Sequence, residues 1–168
     1  TYDRELTDIF AIQDEIANAI VTALRGTIGT AQAAAAVSVR ADTENLQAYE
    51  LYLKARELFI ARRELPEAVR LFERVVELDP EFARGWEGLA AVSSVMYSWG
   101  IRDRDYNALG RRAAARALEL DPSLSMPWAA LAMAEMETKP VAWAEVLDKF
   151  DRAVAADPHN STALLWRG

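Results

Sequence analysis

Few residues in this 168-residue chain have a type and spacing that would support chemistry. The single histidine, His159, follows Asp157-Pro158 in an inter-repeat turn and reads as a solvated turn residue. Cysteine is absent, which removes disulfides, cysteine-zinc sites and thiol nucleophiles together and fits a reducing compartment. No glycine-rich loop of the phosphate- or dinucleotide-binding type occurs. Asp103 and Asp105 come nearest to a cation site, because hard cations take clustered carboxylates. Arg102 and Arg104 interleave with them, so the segment reads as a charge-balanced surface loop. No metal and no cofactor is expected, and catalysis by this chain is the weakest of the readings.

Composition points the same way. Hydrophobic residues make up 52%, enough for a core, and charged residues 27%, an ordinary folded composition. A net charge of -7 with no basic stripe argues against nucleic acid and anionic membrane, which both need cations to displace counterions. No apolar run approaches the roughly 18–20 residues that cross a bilayer. The chain starts at Thr1 without a signal-peptide pattern, and Gly168 falls within a helical pattern. A piece of a longer protein is therefore expected.

The informative feature is an internal repeat. Val76-Glu77-Leu78-Asp79-Pro80, Leu118-Glu119-Leu120-Asp121-Pro122 and Val154-Ala155-Ala156-Asp157-Pro158 end alike. Trp86 stands six residues after Pro80 and Trp128 six after Pro122, each followed by a Leu-Ala pair, Leu89-Ala90 and Leu131-Ala132. Between these marks apolar residues recur at helical spacing: Leu51, Ala55, Leu58 and Phe59, then Val69, Phe72, Val75 and Val76. Each proline cannot continue a helix and forces a turn, and Pro66 suits the first position of a second helix. Strand-like alternation is absent.

This pattern resembles the tetratricopeptide repeat (TPR) family, built from helix pairs of about 34 residues. The resemblance covers about residues 46–168 and implies an all-α, right-handed α-solenoid of helix pairs. In the first unit Tyr52, Phe59, Ala68, Phe72 and Val75 occupy the family's packing positions, with Ala68 where the paired helices cross. Arg56 replaces the usual small residue. The second unit keeps Trp86, Leu89, Ala90, Gly110, Ala114 and Ala117 but has a longer turn, Tyr97 to Tyr106. The third keeps Trp128, Leu131, Ala132, Phe150 and Ala153, with Pro140 in its turn, and a fourth begins at Asn160.

Residues 1–45 form no repeat. Asp8 can cap an amphipathic helix carrying Ile9, Ile12, Ile16, Ile20 and Leu24 on one stripe, ending near Gly26. An alanine-rich stretch follows, and Thr43 reads as the cap of the first repeat helix, starting near Asn45. The run Tyr2-Asp3-Arg4-Glu5-Leu6-Thr7-Asp8-Ile9-Phe10-Ala11-Ile12-Gln13-Asp14-Glu15-Ile16, with Tyr49-Glu50-Leu51-Tyr52-Leu53, is similar to the segment joining a TolB-like domain to TPR units in bacterial regulators. Those regulators carry a class III adenylate/guanylate cyclase or winged-helix domain. The resemblance implies a cytoplasmic signalling parent, with this chain its docking or sensing arm and the output domain elsewhere. A cyclase centre itself needs aspartates on a mixed α/β scaffold, for which no strands are expected here.

TPR ligands usually lie in the concave groove lined by each first helix. Carrying those positions over gives Glu50, Leu53, Glu57 and Ile60, then Arg84, Glu87, Ala91 and Ser94, then Met126, Ala129, Met133 and Met136. The three glutamates oppose the terminal-carboxylate clamp found in some members. The methionines offer an adaptable apolar floor for a helix or extended peptide, yet the same spacing suits packing against a neighbouring helix. Trp99, Tyr97 and Tyr106 in the long turn read either as cover for the extended pair or as interface anchors. A protein or peptide partner is expected, with self-association through exposed helix faces as a further possibility. The rivals are a spacer and oligomerisation arm without a ligand, and a small-molecule sensor.

Overall fold

A computed structural model describes residues 43–137 and 139–167. The expected amphipathic helix from Ile9 to Leu24, the alanine-rich stretch and the Trp166 side chain lie outside the described residues. Among the described residues seven helices follow one another: α1 (Leu46–Ile60), α2 (Leu65–Leu78), α3 (Ala83–Ser98), α4 (Tyr106–Leu120), α5 (Met126–Met136), α6 (Trp143–Ala156) and α7 (Ser161–Arg167). No strand occurs among the described residues.

The repeat boundaries have a common local chemistry. α2, α4 and α6 stop at Asp79, Asp121 and Asp157, whose backbones are extended at φ of -140°, -143° and -142°. The proline that follows disfavours helical geometry at each aspartate. Each aspartate then closes the turn with its own side chain. Its Oδ1 accepts from the backbone N–H two residues on, at Glu81 (3.1 Å), Ser123 (2.9 Å) and His159 (2.8 Å). The aspartate and the proline therefore act as one stop signal, and His159 takes its place in that turn.

Helices pack as successive pairs. α1 lies on α2, α3 on α4 and α5 on α6, while the first helices of adjoining pairs touch in a continuous row, α1 to α3, α3 to α5 and α5 to α7. The second helices α2, α4 and α6 do not approach one another. A row that closes up on one side and splays on the other curves, so α1, α3 and α5 line the inner face.

Between the layers one apolar cluster runs from α1 to α5, with Ala55, Ala68, Val69, Phe72, Leu89, Met96, Tyr106 and Ala114 buried in it. Tyr52 stands edge-on to both Phe72 and Phe82, ring centroids 6.1 and 5.1 Å away. Ala68 is fully buried, as a helix crossing requires. Gly110 takes its place in the second pair, where a Cβ would stand 3.3 Å from Ser93. A second cluster around Val146 and Phe150 joins α5, α6 and α7.

Pro66 falls in the first turn of α2, which begins one residue earlier at Leu65. The cap of α1 is Asn45 rather than Thr43. Asn45 Oδ1 accepts from the Ala48 N–H (3.0 Å), and its Nδ2 donates to the Leu78 carbonyl at the end of α2 (3.0 Å). Thr43 instead ties the start of α1 to the end of α2, its hydroxyl donating to the Asp79 carboxylate and accepting from the Asn45 N–H. Asn160 repeats the Asn45 device, capping α7 through Ala163 (3.0 Å) and donating to the Ser125 hydroxyl (2.7 Å), which itself donates to the Ala153 carbonyl. Asn45→Ala loses a cap and a tie between helices at once. It is expected to cost about 1–2 kcal/mol in chemical denaturation, since an N-cap alone contributes about 1.

Candidate functional site

Of the groove positions on α1, Glu50, Leu53, Glu57 and Ile60 are all exposed and form one stripe, with Leu53 46% and Ile60 62% open to solvent. Lys54 shares the exposed α1 surface between the two glutamates, so the acidity of that stripe is partly offset. On α3 Arg84 is exposed and Glu87 and Ser94 half-buried, but Ala91 is only 3% exposed. On α5 Ala129 is fully buried, while Met126, Met133 and Met136 are half-buried against the Val146–Phe150 cluster. Ala91 and Ala129 therefore serve the close approach of helices and present no side chain to the groove. The methionines are therefore partly core, and Met133 and Met136 also border a pocket.

A pocket opens between the carboxy-terminal ends of α3 and α5 and the first turns of α4. Ser94, Tyr97 and Ser98 from α3, Tyr106, Asn107 and Gly110 from α4, and Met133, Ala134, Met136 and Glu137 line it. The cavity itself is small, about 60 Å³, and opens directly to solvent. Three of the groove residues read from the sequence, Ser94, Met133 and Met136, meet there; the other nine do not border it. Asn107, Ser98 and Glu137 were not legible as site residues. Asn107 begins a second helix, Ser98 lies beyond the last groove position of α3 and Glu137 follows the end of α5, so the repeat register assigns none of them.

The long turn between α3 and α4 shapes this end of the groove. Gly100 takes a left-handed φ of 76° that a side chain would strain. Arg102 lies over the Tyr97 ring, 3.8 Å from its centroid, and donates to the Tyr97 carbonyl (2.6 Å). Arg104 forms a two-pronged bond to Glu73 on α2, 2.6 and 3.0 Å, which raises the pKa of the guanidinium. Asp105 caps α4 through Ala108 (2.9 Å) and Asp103 accepts from the Tyr106 hydroxyl (3.5 Å), so both aspartates have structural work. Burial first, and Asp103 second, push the Tyr106 phenol above its ordinary pKa, keeping it a neutral donor. The aromatic trio divides: Tyr106 is buried and Tyr97 half-buried as cover, while Trp99 stands 58% exposed at the turn.

No family model matches the chain. It is 30% identical over 157 residues to "Putative adenylate cyclase 3" of Rhizobium meliloti (strain 1021), a match covering 90% of this chain and 25% of that protein. The chain thus spans about a quarter of the relative's length. Among solved structures it resembles the first TPR of Spaghetti (RPAP3) bound to the HSP90 peptide SRMEEVD, with a TM-score of 0.58, 15% identity and coverage of 76% of this chain and 93% of that one. The Arabidopsis OM64 TPR domain gives a TM-score of 0.57 at 16% identity, covering 71% and 90%. The TPR2B domain of yeast Sti1, in a complex with pHsp70, gives 0.55 at 24% identity, covering 73% and 90%. The fold is that of a TPR domain. No helix among the described residues is long and apolar enough to cross a membrane.

Proposed function

We propose that the chain is a protein-interaction module that takes a segment of a partner along the inner face of α1, α3 and α5. What supports this reading is the row of touching first helices, with exposed apolar side chains at one end and a pocket at the other. The exposed Leu53 and Ile60 of α1 lead along the row of first helices to a pocket floored by Met133 and Met136. Exposed apolar anchors on a pre-organised surface are what peptide docking needs, because the ordering cost falls on the ligand alone. Structures of similar fold hold an HSP90 peptide or stand in a complex with pHsp70, which supports a peptide or protein as the ligand class. In this reading the chain supplies no catalytic group of its own.

The parent protein in this reading is a cytoplasmic signalling protein of the adenylate/guanylate cyclase type, with residues 1–45 leading into the array and residues 46–168 forming its docking arm. With 90% of the chain matched, the similarity to the R. meliloti protein runs beyond the helical array into the amino-terminal segment, which supports that link.

The test is retention of a specific partner from lysate by the chain, compared with Leu53→Glu and Met133→Glu. Leu53 is solvent-exposed, so its substitution leaves the core intact; Met133 needs a circular-dichroism control because one side of it packs. Loss of the partner in both folded variants is the expected result. Equal retention by all three proteins would instead favour a spacer that associates through the exposed Trp143, Leu164 and Leu165 on α6 and α7.

A further inference from the structure

We infer that the pocket between α3, α4 and the end of α5 receives the cationic side chain of a lysine or arginine from the partner. The inference rests on the groove reading above and adds the chemistry of the residue that anchors there. It follows from an inventory of the polar atoms. The hydroxyl protons are already engaged: Ser94 donates to the Ala90 carbonyl (3.0 Å) and Ser98 to the Val95 carbonyl (2.9 Å). Tyr106 donates to Asp103 and Tyr97 to Glu137 (3.4 Å). Asn107 gives one N–H to the Ala134 carbonyl (3.2 Å), and its oxygen accepts from Arg111 (3.0 Å). What faces an incoming group is therefore mainly acceptor capacity: hydroxyl lone pairs and the Glu137 carboxylate.

Glu137 decides the sign of charge. It is exposed, and among the described residues its carboxylate accepts the long bond from Tyr97 and pairs with no cation. Two guanidinium groups touch the pocket wall and both are engaged there: Arg102 is turned to the Tyr97 ring and to backbone carbonyls, and Arg111 donates to Asn107 Oδ1 and to the Ala134 carbonyl. Met133 and Met136 supply an apolar wall of the length that the methylene stem of lysine or arginine covers while its head stays at a polar rim. A charge-assisted bond to Glu137 then fixes the head. A carboxylate in the same place would meet the Glu137 carboxylate and mostly lone pairs, with the second Asn107 N–H as the nearest spare donor, so this end of the groove disfavours acidic tails.

The test is titration of the intact chain with N-acetyl-arginine amide and N-acetyl-lysine amide, read by shifts of the Met133 and Met136 methyl NMR signals. N-acetyl-norleucine amide, which keeps a stem without a charged head, and N-acetyl-glutamate amide serve as comparisons. The cationic probes are expected to bind about two- to fivefold more tightly than norleucine, the range for an ion pair at an exposed carboxylate. Glu137→Gln, a change at an exposed position, is expected to remove that preference while leaving the norleucine shifts in place. Equal binding of the norleucine and arginine probes, a preference that survives in Glu137→Gln, or no saturable binding of either cation overturns the assignment. None of these outcomes alters the Leu53→Glu result, so the pocket inference and the groove reading fail separately.

Discussion

Phe72→Ala is expected to lower the unfolding free energy by about 3–5 kcal/mol, the range for removing a fully buried aromatic ring. Phe72 is 1% exposed and belongs to the cluster that joins α1 through α5, so the cavity would open where two repeats meet. Its surroundings cannot close in cheaply. Tyr52 is held edge-on between Phe72 and Phe82, and the α3 backbone passes directly over the ring at Gly88. A Cβ built on Gly88 would lie 2.2 Å from the Phe72 ring, which explains a glycine inside that helix despite its helix-propensity cost. Gly88→Ala should therefore destabilise by about 1–3 kcal/mol through overpacking, and Phe72→Leu should recover part of that loss in the double variant. Urea denaturation followed by circular dichroism reads all three. A cost below about 1 kcal/mol for Phe72→Ala would mean that the contact between the first two repeats does not carry the array.

The second large effect concerns the α5–α6 pair, where Lys149 Nζ stands 2.8 Å from Glu135 Oε2 with both side chains about four-fifths covered, 18% and 20% exposed. Lys149→Met is expected to cost about 2–3 kcal/mol, somewhat under the range for a wholly buried ion pair, because it leaves a partly desolvated carboxylate without its lysine. Pairing it with Glu135→Leu should return stability to within about 1 kcal/mol of the parent, since an apolar pair of similar volume avoids both desolvation terms. If the single and double variants lose the same amount, the lysine stem's packing rather than its charge is what joins the helices. Single-pronged pairs on more exposed surface, such as Asp148–Arg152 and Arg74–Glu77, should be near neutral when changed.

The architecture was legible because its stop signals are local. An aspartate before a proline ends a helix wherever it stands, so Pro80, Pro122 and Pro158 marked the ends of α2, α4 and α6 directly from spacing. Helix starts were less legible, as Thr43 and Asn45 show: both are good caps by type, and only the position of the Leu78 carbonyl and Asp79 decides which does what. The groove was legible as a face and not as a site. Helical spacing places Leu53 and Met133 on corresponding stripes, but whether such a side chain is open or covered depends on the neighbouring helix, which spacing along one helix does not encode. The pocket was the least legible part. It is assembled from the ends of three helices in two repeats, and Glu137 enters it only because α5 stops at Met136.

The row of first helices has a mechanical consequence. Since each pair touches only its immediate neighbours, the spacing between α1 and α5 is set by the accumulated tilt at two interfaces, with no strut to hold it. Small changes at each interface add along the array, so its curvature is compliant. A ligand reaching from Leu53 to Met133 would work as a splint across both joints. Its binding energy would be divided between contacts made and bending imposed, and anything that pulls on one end of the array would alter how tightly the other end holds.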